Sequence, residues 1–224
     1  TTTAPSGNGV GLTLTGTTSV DLSVAEKMSY SGTITAAAAT SVQAALTGAA
    51  NATIDAAAAT SVVVSSVDQD SALTLTAAAA TEVDVTNASN LDLTGSDLSA
   101  VESLTSTGAG DLTLDTGLIA LNTATISNAG AVSLGAVGVD QDYTLTVTST
   151  GAGSFAVGAM DTDNQDITLS VTGANGAITA GAITAGTGDV TVTAATAANV
   201  TLDDITGANV TIDASDVLGT TTYG

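Results

Sequence analysis

The sequence predicts an all-β chain wound as a right-handed parallel β-solenoid (β-helix) of about ten coils, with roughly 21 residues and two strands to a coil. Three observations predict it. One segment recurs at a near-constant period. The recurring segments alternate apolar residues with Thr, Ser or Asp. Gly, Asn and Asp fall between them. The clearest recurrence is Thr33-Ile34-Thr35-Ala36-Ala37-Ala38-Ala39-Thr40-Ser41-Val42, which returns from Thr53 to Val62 and again from Thr74 to Val83. Its steps, about 20 and 21 residues, lie in the range of stacked repeats. A weaker frame continues through Asp92-Leu93-Thr94, Thr113-Leu114-Asp115 and Ser133-Leu134.

Residues 1–10 read as an N-terminal tail or cap, and Val10-Gly11-Leu12-Thr13-Leu14 as the first strand. Offset by half a period from the Thr-Ile-Thr segments runs a second alternating set: Val42-Gln43-Ala44, Val62-Val63-Val64, Val83-Asp84-Val85 and Ala124-Thr125-Ile126. Alternation with period two is the signature of a half-buried strand, and β-branched Thr and Val suit a pleated surface. The later half keeps the rhythm through Tyr143–Val147, Phe155–Val157, Ile167–Val171, Ile178–Ile183, Val190–Val192, Val200–Leu202 and Val210–Ile212. Turn residues separate these segments, as in Thr107-Gly108-Ala109-Gly110-Asp111 and Gly186-Thr187-Gly188-Asp189. Residues 214–224 read as a C-terminal tail or cap, so 1–224 is a single elongated domain.

Two strands per repeat also suit an antiparallel meander or sandwich. The constant period favours a coil, because equivalent residues then stack: Ile34 on Ile54 on Leu75 on Leu93 on Leu114. Coils stacked at about 4.8 Å give a rod about 50 Å long. Ala is the best helix former, but a tetrad is too short to sustain a helix. In a narrow coil it serves as a turn.

The chain has 224 residues, 22 Asp+Glu, one basic residue (Lys27), no His and no Cys, for a net charge of −21. That inventory excludes thiolate and imidazole metal sites, disulfides, and Ser-His-Asp or Cys-His catalysis. It leaves nothing to neutralise phosphates, so no nucleic acid partner is expected, and aromatic stacking platforms are scarce. No apolar run approaches the ~18 residues of a membrane span, so no membrane insertion is expected. Thr1-Thr2-Thr3-Ala4-Pro5 lacks the basic start and apolar core of a secretory signal. Paired carboxylates such as Asp203 with Asp204 suit glycoside hydrolysis, but too few aromatics accompany them. The expectation is a protein that is not an enzyme and takes no organic cofactor.

The acidic turns carry the candidate cofactor, calcium. Val67-Asp68-Gln69-Asp70 recurs as Val139-Asp140-Gln141-Asp142, and Asp161-Thr162-Asp163-Asn164-Gln165-Asp166 gathers three carboxylates in six residues. Oxygen ligands on loops are what Ca²⁺ takes, which makes Asp68, Asp70, Asp140, Asp142, Asp161, Asp163 and Asp166 the candidate metal ligands. The EF-hand positions and the glycine-rich nonapeptide of calcium rolls are both absent. Solvated turns are the plainer reading of the same residues.

Outward Thr rows are the second candidate site. Thr33, Thr53, Thr74, Asp92, Thr113 and Ser133 are expected to form one ladder, with Thr35, Asp55, Thr76, Thr94 and Asp115 beside it. These rows and Thr144-Leu145-Thr146-Val147-Thr148 resemble the Thr-x-Thr arrays of ice-binding β-solenoids, although Asp55, Asp92 and Asp115 interrupt them. Thr is also simply a good outward strand residue.

Over the whole chain, the Thr/Ala/Gly/Val/Asp richness, near-absence of Lys and Arg, lack of Cys and imperfect ~20-residue strand repeats resemble bacterial surface-layer (S-layer) and β-strand-repeat extracellular proteins. That resemblance implies an extracellular, cell-surface location and calcium dependence. It also implies copies of the chain itself as partners in a lattice or filament, with cell-surface glycan as a further partner. An ice-binding solenoid and the rod-like stalk of an adhesin are the alternatives.

Overall fold

The computed structural model describes residues 7–8, 11–141, 144–151, 153–173 and 176–224, without the side chains of 7, 8, 139–141 and 145. The described strands form three sheets, of twelve, ten and four strands, here sheets A, B and C. Pairing is parallel throughout, and strands pair one coil apart rather than with their chain neighbours. That is a β-solenoid. Sheet B takes one strand from each of ten coils, from Ser19–Val24 in coil one to Val210–Asp216 in coil ten. Sheet A holds the facing strands, among them Ser29–Thr35, Ala49–Asp55 and Ser71–Thr76. Residues 214–224 complete coil ten, whose strand Thr221–Tyr223 pairs with Asn199–Leu202. Among the described residues there is no helix, and therefore none long and apolar enough to cross a membrane.

After a first step of 22 residues from Ser19 to Ser41 on sheet B, the period is 20 or 21 residues in the early coils, as from Ser41 to Ser61 to Glu82. It lengthens to 22 or 23 from Thr123 through Thr146 and Thr168 to Thr191. The lengthening accompanies a departure from two strands per coil. Coils six to nine add a third strand: Val137–Gln141, Met160–Thr162, Ile183–Thr184 and Ile205–Thr206. The side chains of the third side change before its length does. In the first three coils the third side is a tight turn made by the Ala tetrad, closed by Ala39 N–H to Ala36 carbonyl at 2.8 Å, Ala59 to Ala56 at 2.8 Å and Ala80 to Ala77 at 2.9 Å. The first and last Ala of each tetrad are buried. The same two positions hold Leu98 and Val101, then Leu118 and Leu121, all fully buried. Coils four and five take these larger groups without lengthening, at 21 and 20 residues. Two or three extra residues then let the third side extend as strand, with Val137, Met160 and Ile183 pointing inward.

The core consists of apolar columns one coil apart. On sheet B, Val20, Val42, Val62, Val83 and Leu104 stack in register. Burying each such side chain contributes about 1.5–3 kcal/mol. On sheet A, Ile34 lies on Ile54 and Ile54 on Leu75, as expected. Leu93 does not continue that column. Leu91 pairs with Ser71 and Asp92 with Ala72, which places Leu93 two residues away, in the column of Leu73. The resemblance of Asp92-Leu93-Thr94 to Thr74-Leu75-Thr76 misleads because coil length, not motif, sets the register. Coil four turns early at Gly95, whose φ is 76°. Buried Ser96 then sits beside Leu75, and its hydroxyl accepts the Leu75 N–H at 3.0 Å in place of a backbone rung.

Candidate functional site

The acidic turns stand at the corners of the coil. Asp68 and Asp70 lie in the turn from sheet B to sheet A in coil three, both exposed. Asp161 lies in the sheet C strand of coil seven, and Asp163 and Asp166 in the turn from there to sheet B. Four coils of rise, about 19 Å, separate the two turns. Asp142 lies outside the described residues, as does the side chain of Asp140. Among the described residues, no three carboxylates converge.

The two described turns share an internal design. The Ser66 hydroxyl donates to the Gln69 carbonyl at 3.2 Å, and the Thr162 hydroxyl to the Gln165 carbonyl at 2.6 Å. Both hydroxyl residues are buried. The Asp that follows each Gln then reaches the next coil. Asp70 Oδ1 accepts the Asn90 N–H at 3.1 Å, Asn90 Oδ1 accepts the Asp111 N–H at 2.9 Å, and Asp111 Oδ1 accepts the Ala131 N–H at 2.7 Å. At the other corner, Asp166 Oδ1 accepts the Asp189 N–H at 2.9 Å and Asp189 Oδ1 accepts the Asn209 N–H at 3.1 Å. Turn backbone has no sheet partner, so a side-chain oxygen one coil away satisfies its N–H. The sequence reading missed these ladders, although Asp70, Asn90 and Asp111 recur at the coil period.

A third polar ladder is internal. Buried Asn128 Nδ2 donates to Asn87 Oδ1 at 2.6 Å, and the Ser106 hydroxyl donates to Asn128 Oδ1 at 2.7 Å. Asn87 Nδ2 donates in turn to the Gly110 carbonyl at 2.9 Å. Gly108 lies between the two Asn residues in the register and has no side chain, so the amides meet across it.

A groove of about 680 Å³ crosses the start of sheet A, lined by Tyr30, Ser31, Asn51 and the carboxylates of Asp70, Asp92 and Asp111. It forms where outward positions carry small residues such as Ala49 and Ala72. Burial raises the Tyr30 pKa above its ordinary value.

The Thr rows differ from expectation in place and content. On sheet A, Thr33, Thr53 and Thr74 align, but Asp92 joins the row of Asn51 and Ala72 instead. Thr35, Asp55 and Thr76 align, and Asp97 rather than Thr94 bridges to Thr76. Acidic residues therefore break these rows. The continuous array is on sheet B. Ser103, Thr123, Thr146, Thr168, Thr191 and Thr211 form one outward row, and Thr105, Thr125, Thr148, Ser170 and Thr193 the next. Glu82 and Asp84 precede these rows in register and Asp213 ends the second. A hydrogen bond from the Ser215 hydroxyl, then one from its backbone N–H, holds the exposed Asp213 carboxyl below its ordinary pKa.

The chain matches no family model, no curated protein and no solved structure.

Proposed function

We propose that the chain is a non-enzymatic structural protein of the cell exterior, a stiff acidic rod that associates with copies of itself in a surface lattice or filament. Divalent cations relieve the repulsion between rods, and the groove on sheet A offers acceptors to the hydroxyls of a cell-surface glycan. One observation carries the structural reading: described carboxylates that could act on a ligand instead join coil to coil, as in the ladders from Asp70 to Ala131 and from Asp166 to Asn209. Such a scaffold gains rigidity at these turns, the property a lattice element needs. Light scattering and negative-stain imaging of the purified chain test the proposal. Millimolar Ca²⁺ is expected to promote ordered association beyond that in NaCl of equal ionic strength. A chain that stays monomeric in both, at high concentration, overturns self-association and leaves the stalk of an adhesin.

A further inference from the structure

We propose that the outward face of sheet B in coils five to nine is an ice-binding surface. Its two central rows run Ser103-Thr123-Thr146-Thr168-Thr191 and Thr105-Thr125-Thr148-Ser170-Thr193, a hydroxyl at each of ten positions with no carboxylate among them. In a chain of net charge −21, this patch is set apart by composition. Its hydroxyls also differ from those of the corner. At the corner, Thr40, Thr60 and Thr81 donate their hydroxyls to carbonyls one coil back, at 3.0, 3.3 and 3.4 Å. The ten hydroxyls of the face have no such protein partner, so their capacity is left to water.

Geometry selects ordered water over other occupants. Rows one coil apart repeat at about 4.8 Å, and positions two residues apart along a strand at about 6.7 Å. In tetrahedral ice with an O···O separation of about 2.75 Å, second neighbours lie about 4.5 Å apart, and the perpendicular repeat is about 7.3 Å. Over five coils the axial mismatch accumulates to about 1.2 Å, under half a repeat, so every row stays near a lattice position. The patch suits a second rod less well. It measures roughly 24 by 17 Å, about 400 Å² per partner against the ~800 Å² of a stable interface. It also offers none of the aromatic or Arg anchors that concentrate binding energy.

The test uses the whole chain with ice as the probe, reading the non-colligative gap between melting and freezing and the uptake of protein into a growing ice front. The wild type is expected to open such a gap and to enter the ice. Thr148→Asp places a strongly hydrated carboxylate at the centre of the array and is expected to reduce both effects about tenfold or more. Thr53→Asp on sheet A is expected to leave them unchanged. Circular dichroism and melting establish that each variant folds, and Thr125→Asp repeats the test at a second position should Thr148→Asp not fold. A wild type excluded from ice with no freezing gap overturns the proposal. So does an equal response to the sheet A and sheet B variants. If Thr148→Asp abolishes association between copies and the wild type is inert towards ice, the face is a protein contact and the proposal fails while self-assembly stands.

Discussion

Gly108→Ala is expected to be among the most damaging single-methyl additions in the rod, and Gly95→Ala supplies its control. Both glycines have positive φ, 146° and 76°. A Cβ at Gly95 would meet nothing within 4 Å, so its cost is backbone strain, about 1–2 kcal/mol. Loss of unfolded-state freedom offsets about 0.4–1 kcal/mol of that. A Cβ at Gly108 would overlap the Asn87 carbonyl oxygen and stand 2.8 Å from the Asn87 nitrogen, both backbone atoms that cannot swing aside. The Asn87 strand must then move, and with it go the bonds of Asn128 to Asn87 and of Ser106 to Asn128. Buried polar groups left without partners cost about 1–3 kcal/mol each, which brings the total to about 3–5 kcal/mol. Solenoids open coil by coil, so amide hydrogen exchange at coils four to six is the decisive assay, with thermal melting beside it. Gly108→Ala should accelerate exchange there while distant coils keep their protection. Equal effects of the two substitutions would refute the reasoning.

Asp166→Ala removes the acceptor of the Asp189 N–H and should cost about 0.5–1.5 kcal/mol, a few degrees in Tm. Asp166→Asn keeps an Oδ1 acceptor and should melt near the wild type. The Asp213 carboxyl, held low by Ser215, should titrate below the ordinary carboxylate range by NMR, and Ser215→Ala, which removes the hydroxyl bond but keeps the backbone N–H bond, should bring it part of the way back. A lowered folded-state pKa means that this contribution to stability is present above the unfolded pKa of about 3.9 and lost as pH falls through the folded value. Lys27 sits on an exposed turn at φ 63°, its side chain 86% accessible. Trypsin should therefore cut the folded chain once there, while a non-specific protease leaves the coils intact; rapid complete digestion by the latter would contradict the solenoid.

Much of the fold was legible because a solenoid repeats its information. Period, alternation and turn residues each recur about ten times, so a weak local signal becomes strong by repetition. The Ala tetrads illustrate it, since one Ala run suggests helix and three at one spacing suggest a turn. Register was legible only where the motif was intact. Asp92-Leu93-Thr94 imitates its predecessor in sequence but lies two residues off, because the turn at Gly95 moves Ser96 into the core. The third sheet was hidden because strands as short as Met160–Thr162 and Ile183–Thr184 leave too little alternation to read. The acidic turns were found as a pattern, but the partners of their oxygens were not. A cluster of Asp in sequence does not show whether its oxygens face each other or the next coil, and in Asp70 and Asp166 they face the next coil.

The same placement of charge decides what kind of cation dependence to expect. Ten coils at about 4.8 Å make a rod near 48 Å. A net charge of −21 along it is one charge per ~2.3 Å, close to the ~1.7 Å of duplex DNA, which holds a condensed counter-ion atmosphere. A line charge this dense collects divalent ions ahead of monovalent ones, with or without a coordination shell. Replacing Asp161, Asp163 and Asp166 together by Asn lowers the charge only to about −18, one per ~2.7 Å, and the atmosphere persists. If the atmosphere carries the calcium response, the triple variant should retain most of it in light scattering, weakened roughly in proportion to the charge removed. If those carboxylates form a binding shell, the response should collapse to that of NaCl at equal ionic strength. Their separation into a strand and a turn, with Asp166 already bound to the Asp189 N–H, favours the first outcome.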